Sequence, residues 1–491
     1  MSLHFLSYEK KNSFNQGFIT PIGCIEALPG DRFQHKVDAL MRTQPLLSPV
    51  MHTCEVKIHH WFVPLRLIWD DFESFITGGR DGLDASVAPV VESGVSGFAV
   101  GSLADHLGLP TGVSNLEVSA LPFRAYNFIY NEFYRDQDLQ DPIEFSTASG
   151  EDTTTPTDLL QACWEKDYFT SARPTSQKGD DVQIPLSGDA PVVYDTISGT
   201  NIDGNYAVGR IATGNSEFYH SPNEATTGAI IPPNSSHNLK TDLSQVSAVS
   251  VNDLRLAVKL QVYKENMLRH GSRYVERLMA AFNVRPQDSR LQLPEYLGGG
   301  KQVIQFSEVL QTAPFDDGSE ITPVGDMRGH GIAAMRSNRY RRYIPEYGLV
   351  MSFVVVRPKT AYQQGIHKMW LRKVKEDYFQ PELQNIGMQA ITNAEIYAQG
   401  TSADEGLFGF QDRYDEYRFM FDQVSGELRN TLNFWHMGRI FPSTPALNEQ
   451  FVRCDGTDRI FATDADQFIG RFRHSLQIKR PVSLHGKPMT F

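Results

Sequence analysis

Residues 250–300 read SVNDLRLAVKLQVYKENMLRHGSRYVERLMAAFNVRPQDSRLQLPEYLGGG, and they separate a long polar segment from a densely patterned one. Ser250 and Asp253 have the spacing of a capping box, in which a hydroxyl and a carboxylate accept hydrogen bonds from free amides of a first helical turn. The apolar residues within 254–268 then fall on two stripes. This pattern predicts a helix that is buried on more than one side.

A strand is the alternative for this stretch, because every second residue from 256 to 262 is apolar. The length of the pattern and its Lys, Glu and Met content favour the helix. A second helix is predicted after the break at Gly271, on an apolar face that consists of Val275, Leu278, Met279 and Phe282.

Three segments have the patterns of strands. Residues 52–63, HTCEVKIHHWFV, alternate between two faces, and residues 302–309 alternate as well. Residues 349–356, LVMSFVVV, are almost continuously apolar, which is typical of a buried strand. Prolines 286 and 294 and glycines 298–300 exclude helix, so the chain before residue 302 is expected to be extended.

Two short helices are predicted in the first third of the chain. Ser102 and Asp105 spell a second capping box, and Gly108 has the position of a C-cap. Pro122 then stands where a helix commonly begins, ahead of aromatic residues at helical spacing.

The composition limits the classes of protein that the chain can belong to. Its 491 residues are 41% hydrophobic, which is enough for a large globular core. The net charge of -12 means that nucleic-acid binding would need a local basic patch. Four widely separated cysteines indicate reduced thiols, and the sequence has neither an apolar leader nor a run long enough to span a bilayer. We therefore expect no disulfide framework and no membrane insertion.

The chain is expected to form one domain, 1–491, with three special segments. Residues 1–50 lack sustained periodicity and predict an extended N-terminal arm. Residues 187–249 are rich in Gly, Ser, Thr, Asn and Pro, which predicts either a projecting surface insertion or a disordered stretch, and the regular turn residues favour a small β-rich projection. Residues 468–491 form a tail that has several cations and no acid.

Several apparent sites have simpler explanations. His52 and His60 would be about 26 Å apart on one strand, and His59 would point to the opposite face, so a metal site there is not expected. Residues 298–301 imitate a phosphate loop, but the residue that follows is Gln302 and a strand follows where a helix is needed. With no catalytic signature in the sequence, an enzyme is not expected, and neither a cofactor nor a metal is predicted.

The tail has the chemistry of a nucleic-acid contact, because cations spaced among aromatic residues can neutralise phosphates and stack on bases. The alternative is that its charges pair with acids of neighbouring subunits. A second basic group, within 370–375, is at helical spacing and is either a weaker candidate or an ordinary solvated face. The candidate DNA-facing residues of the tail are Arg471, Phe472, Arg473, Lys479, Arg480 and Lys487.

Long phrases of the chain resemble the major capsid proteins of the microviruses, the small tailless single-stranded DNA phages, and in particular the gokushovirus branch. The resemblance covers most of residues 17–454. The phrases that carry it include LPGDRF with MRTQPLLSPV, FVPLRLIWDDFESFITGG, RHGSRYVERL, DSRLQLPEYLGG and FGFQDRYDEYRFMFDQVSGELRNTLNFWH.

This resemblance implies a mainly β protein, an eight-stranded antiparallel jelly-roll whose long inter-strand insertions contain several α-helices. It implies assembly into a T=1 icosahedral shell around a circular single-stranded DNA genome, with a DNA pilot protein and an internal scaffolding protein as further partners. The particle would assemble in the bacterial cytoplasm, and the chain would be part of the virion.

The insertion at 187–249 is implied to protrude at the three-fold axes and to meet a receptor on the host surface. Taken alone, the insertion also suggests a carbohydrate-binding β-sandwich or spike module, which is the alternative function. The candidate receptor-facing residues are Tyr194, Asn201, Tyr206, Arg210, Phe218 and Tyr219.

Overall fold

The structure is a computed structural model that describes most of the chain. The described residues are 2–79, 83–179, 192–194, 210–212, 215–217, 239–241, 251–269, 279–280, 292–312, 314–316, 321–322 and 324–484. Most of the second helix that was predicted near 275–282 lies outside them, as does Lys487.

Strands dominate the described residues. In chain order they are β1 Ser2–Phe5, β2 Tyr8–Phe14, β3 Thr20–Ala27, β4 Arg32–Thr43, β5 Cys54–Pro64, β6 Val90–Glu92, β7 Glu117–Ser119, β8 Val192–Tyr194, β9 Arg210–Ala212, β10 Asn215–Glu217, β11 Leu239–Thr241, β12 Glu295–Val303, β13 Gln305–Leu310, β14 Phe315–Asp316, β15 Ile321–Thr322, β16 Met327–Arg336, β17 Tyr340–Tyr343, β18 Gly348–Pro358, β19 Ala361–Tyr362, β20 Met388–Thr392, β21 Leu407–Asp412, β22 Asp422–Gln423 and β23 Phe468–Arg480.

The helices are mostly short. They are α1 Phe72–Thr77, α2 Leu103–Leu107, α3 Leu121–Phe133, α4 Val251–Arg269, α5 Asn393–Ile396 and α6 Glu449–Val452. Single 3-10 turns lie at Leu65–Leu67, Lys368–Trp370, Lys375–Asp377, Pro381–Leu383, Ser402–Glu405, Asp415–Tyr417, Gly426–Arg429 and Asn433–Trp435.

The two predicted short helices are confirmed as α2 and α3. The Ser102 side chain accepts a hydrogen bond from the backbone N–H of Asp105, and Gly108 ends α2 in the left-handed region at φ 99°. Pro122 lies in the first turn of α3, where its missing N–H costs no hydrogen bond.

The larger of the two main sheets has the order β1-β23-β4-β16-β13, with β2 also paired to β23 and β17 to β4. Strand β23 pairs antiparallel with β4 from Phe468 to Lys479. Along β23, even-numbered residues are buried and odd-numbered residues are mostly exposed. One face of this sheet therefore belongs to the core and the other faces outward.

The smaller sheet has the order β12-β5-β18-β3, and all its pairs are antiparallel. Its central strands β5 and β18 confirm the strands that were predicted at 52–63 and 349–356. The single strand predicted at 302–309 is instead divided between β12 and β13, since the chain leaves the smaller sheet for the larger one at Ile304.

The two sheets enclose the main core. Buried side chains from the larger sheet, such as Val37, Met41 and Phe472, share one apolar cluster with Val56 and Val354 of the smaller sheet. This arrangement confirms a mainly β protein with packed antiparallel sheets. Among the described residues, the larger sheet contains seven strands and the smaller sheet four. The eight-stranded barrel that the resemblance implies is therefore not confirmed in its number of strands.

A polar cluster lies inside the same core and connects both sheets. The Nε2 atom of His35 is 3.0 Å from Nδ1 of His474, and its Nδ1 is 2.9 Å from the Tyr340 hydroxyl. His60 of the smaller sheet stands 5.0 Å from His35, ring centroid to ring centroid, and bonds the Ser352 hydroxyl at 2.8 Å.

Burial lowers the pKa of His35 to about 3 and that of His474 to about 4. The neighbouring His474 ring lowers the pKa of His35 further, because two adjacent positive charges would repel. Burial also lowers the pKa of His60 well below its ordinary value. The three rings are therefore neutral at pH 7. His35 and His474 are hydrogen-bonded to each other, and His60 is hydrogen-bonded to the hydroxyls of Ser352 and Ser337, so the buried ring nitrogens have partners.

The outer face of the smaller sheet is covered by α1, α2 and α3. Aromatic residues of the helices pack with Phe353 and Met351 of β18 in a second apolar cluster. Within this cover, the buried Arg124 guanidinium is 2.7 Å from the carboxylate of Asp152, and it also donates to the carbonyls of Ile68 and Ala148.

Residues 1–50 do not form the extended arm that was predicted. They form β1 to β4, and β4 lies in the middle of the larger sheet. The core positions of β4 are Phe33, His35, Val37, Ala39 and Met41, so the strand does alternate. The polar His35 at a buried position concealed that alternation.

The chain divides into two compact units, one of residues 1–178 and 267–491 and the other of residues 179–266. The described residues of the second unit include the strand pairs β8/β11 and β9/β10 and most of α4. The helix predicted at 254–268 is confirmed as α4, but its predicted burial is wrong: Leu256, for example, is 67% exposed.

Candidate nucleic-acid interface

The outer face of the larger sheet is strongly basic. Strand pairing places Arg471 and Arg473 of β23 beside outward positions of β4 and β2, and β16 and β17 add arginines from the other side of β4. We call this surface the basic face. Its cations are Lys11, Arg32, Lys36, Arg42, Arg328, Arg336, Arg341, Arg471, Arg473 and Lys479.

Three acids lie on or beside the basic face and neutralise a minority of its charge. Asp326 lies 3.3 Å from Arg328. Asp38 lies among these cations: burial alone would raise its pKa, but hydrogen bonds from Arg336 and Lys36 outweigh burial and lower it. Glu9 lies 3.8 Å from Arg471. Among the described residues, Arg473 and Lys479 have no carboxylate oxygen within 4.0 Å. The face therefore has a net positive charge on a chain whose total is -12.

The face also exposes apolar and aromatic side chains at its margin. Phe5 on β1 is 70% exposed and lies opposite Gln477 of β23. Tyr343 on β17 lies 6.0 Å beneath the Arg32 guanidinium, measured from the ring centroid. Exposed rings beside unpaired cations are the combination that binds single-stranded nucleic acid without reading its sequence.

The predicted DNA-facing residues of the tail divide between the two faces of β23. Arg471, Arg473 and Lys479 point outward, as the prediction requires. Phe472 is fully buried against Phe14 and cannot stack on a base, so that assignment is wrong. The reason is the two-residue period of the strand, which turns each neighbour of an outward arginine into the core.

Arg480 has a structural role at the end of the same strand. Its guanidinium donates to Asp31, which is fully buried, at 2.6 Å, and to the Glu26 carbonyl at 3.2 Å. Its charge is therefore already matched within the chain. Lys487 lies outside the described residues.

Other parts of the basic face were not predicted. Arg336 and Arg341 belong to the arginine-rich segment RSNRYRR at 336–342, and they join Arg471 and Arg473 only through the pairing with β4. The alternating cations in β4 itself, such as Lys36 and Arg42, were a usable signal.

The second basic group does not lie on a helix, so the helical spacing that was assumed for it is wrong. Lys368–Trp370 and Lys375–Asp377 are separate 3-10 turns. Arg372 between them donates to Glu416 at 3.2 Å and lies 4.4 Å from the ring centroid of Tyr417. Trp370 is 74% exposed.

Only two of the six predicted receptor-facing residues are among the residues that the structure describes. Tyr194 lies in β8, which pairs with β11, and Arg210 lies in β9, which pairs with β10. The others, Asn201, Tyr206, Phe218 and Tyr219, are outside the described residues. Their role in receptor binding stays a prediction.

The described ranges contain no group of three or more His, Cys, Asp or Glu side chains that could hold a metal ion. His60 lies between the sheets, whereas His59 of the same strand bonds the Tyr134 hydroxyl at 2.6 Å, so the two rings point to opposite faces. No helix among the described residues combines the length and apolarity needed to cross a membrane.

The described chain is thus built on a sandwich of two antiparallel sheets, of which one has a covered outer face and the other a basic one. A family model described as "Capsid protein (F protein)" matches residues 2–490. The chain therefore belongs to this capsid protein family, and its role is structural.

Curated relatives agree with this assignment over nearly their whole length. The capsid protein VP1 of Bdellovibrio phage phiMH2K is 35% identical over 511 residues, which cover 99% of this chain and 94% of the relative. The capsid protein VP1 of Chlamydia phage 1 is 30% identical over 98% of this chain and 94% of its own. The capsid protein VP1 of Spiroplasma virus 4 is 31% identical, and the match covers 97% of this chain and 93% of the relative.

Proposed function

We propose that this chain is the main subunit of a T=1 icosahedral shell that encloses a circular single-stranded DNA genome, with the basic face turned toward the DNA. The observation that carries the DNA assignment is the outward row of cations on β23, β4, β16 and β17. Membership of the capsid protein family supports the shell.

The charge distribution suits a container. The net charge of -12 includes the basic face, so the rest of the chain is more negative than -12. That charge keeps particles apart and disfavours host nucleic acid on the exterior. Cations without carboxylate partners inside the shell bind phosphates of any sequence, because phosphate contacts carry no base information. A genome can therefore be held without a sequence requirement.

The shell is expected to contain about sixty copies, the number that closes an icosahedron of identical subunits. We propose that the insertion at 187–249 projects from the shell and contacts the host surface. A DNA pilot protein and an internal scaffolding protein are the expected partners in assembly, which takes place in the bacterial cytoplasm.

Expression of the full chain, with and without a scaffolding protein, tests the shell directly. Sedimentation and negative-stain electron microscopy are expected to show closed particles of uniform size. A species that stays monomeric under all assembly conditions contradicts the shell.

The DNA assignment is tested by changing Arg471, Arg473 and Lys479 to Gln in one chain. Binding of single-stranded DNA is expected to weaken, and the slope of log K against log salt to fall by about 2, since each phosphate contact contributes roughly 0.7. The matched control changes the exposed Lys301, Lys359 and Arg453 to Gln, which lie outside the basic face. Equal losses in both variants contradict the assignment.

The host contact is tested by deleting 187–249 and measuring assembly and infectivity separately. Intact particles that no longer attach to cells support the proposal. Normal infectivity after the deletion removes the receptor role, and binding of the isolated chain to a glycan array would identify a carbohydrate as the receptor.

A further inference from the structure

Two exposed surfaces within the unit 1–178 and 267–491 carry large apolar side chains, the first beside acids and the second beside exposed lysines. The first lies on residues 83–119, and we call it the valine surface. It exposes Val95 by 85% and Val100 by 83%. Residues 81–122 contain neither Lys nor Arg, and their acids are Asp81, Asp84, Glu92, Asp105 and Glu117.

The second surface surrounds Trp370, and we call it the Trp370 surface. Residues 366–375 contain no acid, and their cations are Lys368, Arg372, Lys373 and Lys375. Met369, Tyr378 and Phe379 are exposed in or next to this segment. Residues 417–420 reach it through Tyr417, whose hydroxyl accepts a hydrogen bond from the Phe379 N–H at 3.3 Å, and they expose Tyr417, Phe419 and Met420.

The Trp370 surface is held rigid by its own contacts. Arg372 is stacked between the rings of Tyr417, at 4.4 Å, and Tyr378, at 5.6 Å. The carboxylate of Asp377 accepts hydrogen bonds from the backbone N–H groups of Lys373 and Val374, at 2.8 and 3.1 Å. A partner that binds here loses little affinity to ordering the surface, because the surface is already ordered.

The charge that this surface offers to a partner comes from its outer lysines. Lys368 is paired with Glu395, and Arg372 with Glu416. Lys373 and Lys375 are exposed beside Trp370, and Lys375 is 3.6 Å from the neighbouring Glu376. Among the described residues, Lys373 has no carboxylate oxygen within 4.0 Å.

We propose that the valine surface of one copy docks on the Trp370 surface of the next copy in the shell. The inference rests on the proposed shell function, because copies of one chain then meet repeatedly. A contact between two different patches of the same chain is heterologous, and contacts of this kind close into rings and shells when the rotation permits.

Three physical arguments favour a second copy as the occupant. Large apolar side chains exposed together mark protein contacts, and tryptophan is the residue most often found at the energetic centre of such contacts. The acids around Val95 and Val100 complement Lys373 and Lys375, which fixes the orientation of the pair. Each copy supplies both patches in equal number, so no patch is left uncovered in a closed particle.

Single-stranded DNA is the competing occupant, because Trp370 could stack on a base. The basic face is the stronger site for a phosphate chain, because it gathers ten cations and leaves Arg473 and Lys479 without a carboxylate partner among the described residues. At the Trp370 surface, three of the four cations are paired with carboxylates. DNA at Trp370 is therefore an outcome that the experiment must separate.

The experiment is a charge exchange in the full chain. K373E with K375E is expected to raise the concentration needed for shell assembly at least about tenfold, since like charges across a contact repel. D84K with E92K is expected to have a similar effect. All four substitutions together are expected to restore assembly to within about threefold of the wild type, because the complementarity is reversed and not removed.

A second pair of variants tests the apolar centre. W370A is expected to reduce assembly at least about tenfold. M51A is the matched control, because Met51 is 73% exposed and lies outside both surfaces. All variants are first compared by urea unfolding, and only those with wild-type midpoints enter the assembly measurement.

The outcomes separate the proposals. If the wild type forms shells but the charge-exchanged chain with four substitutions does not recover, or if K373E with K375E assembles normally, the docking proposal is overturned and the shell stands. If W370A assembles normally but packages less DNA, the surface is a DNA site and the docking proposal is likewise overturned. Failure of the wild type to form shells overturns the proposed function itself.

Discussion

The two main sheets differ in their outer faces, one of which is covered and the other open. The smaller sheet buries its outer face beneath α1, α2 and α3, and the strand β18 is buried almost throughout. The larger sheet leaves its outer face open and lines it with cations. Both sheets contribute to one core, so the open face is not needed for folding. We propose from this difference that the covered face supplies stability and the open face supplies binding.

The largest effect is expected where the covered face contains a charge. R124A removes the partner of the buried Asp152 and the donor to two carbonyls. An uncompensated buried charge is expected to cost about 3–5 kcal/mol of unfolding free energy. Urea unfolding measures this, with R473A on the basic face as the control, which is expected to change stability by less than about 0.5 kcal/mol. Equal effects of the two substitutions would remove the distinction between the faces.

The core that both sheets share is expected to be acid-sensitive. His35, His60 and His474 have folded pKa values below their unfolded values, so the unfolded chain binds more protons as the pH falls below about 6.5. Stability is complete above that pH and is expected to fall by about 1.4 kcal/mol per pH unit for each histidine, until the folded pKa values near 4 and 3 are reached.

Unfolding free energies between pH 7 and 4.5 measure this slope. The groups that face the cluster from neighbouring strands are Tyr8, Lys10, Cys24 and Tyr340. None of them changes charge in that interval, because burial raises the pKa of the tyrosines and of Cys24 and lowers that of Lys10 only to about 8. His59, on the opposite face of β5, adds to the slope in the wild type and in H35Q alike, because burial lowers its folded pKa to about 4. H35Q is expected to reduce the slope by about one proton. An unchanged slope in H35Q would show that the cluster does not control acid stability.

The cover of the smaller sheet also depends on helix ends. S102A removes the side chain that accepts a hydrogen bond from the Asp105 N–H at the start of α2. A loss of about 1 kcal/mol is expected, because that amide loses its acceptor in a partly buried position. Differential scanning calorimetry of S102A against S102T measures it, and S102T is expected to retain most of the stability.

R473Q is expected to have the smallest effect on stability. Its effect on DNA binding is nevertheless expected to be measurable. The side chain is exposed and makes no ion pair among the described residues, so unfolding is expected to change by less than about 0.5 kcal/mol. The salt dependence of single-stranded DNA binding is expected to fall by about 0.7 in slope. Fluorescence anisotropy over a salt series gives this number, and an unchanged slope places Arg473 away from the DNA.

Local sequence patterns predicted the smaller sheet and its helical cover well, but they predicted the open face of the larger sheet only in part. β5, β18, α2 and α3 follow from alternation, apolar runs and caps that lie within a dozen residues. The tail was recognised as basic, but its division into an outward row and a buried row depends on its being a central strand. Phe472 was therefore assigned to DNA although it belongs to the core.

Long-range pairing explains the rest. β4 and β23 are adjacent in the sheet although they lie at opposite ends of the chain, so their cations cannot be grouped from sequence alone. The histidine cluster has the same origin, since His35 meets His474 across that pairing. The burial predicted for α4 is wrong, since Leu254 and Leu256 are 44% and 67% exposed. An apolar pattern at helical spacing predicts the helix, but it does not say whether another element covers it.

Ultraviolet crosslinking of DNA in intact particles, followed by mass spectrometry, tests the central claim most directly. We expect the crosslinked peptides to come from 2–14, 32–43, 327–343 and 468–480, the strands of the basic face. Crosslinks that fall mainly on the helical cover at 65–134 would contradict the claim that the open sheet faces the genome.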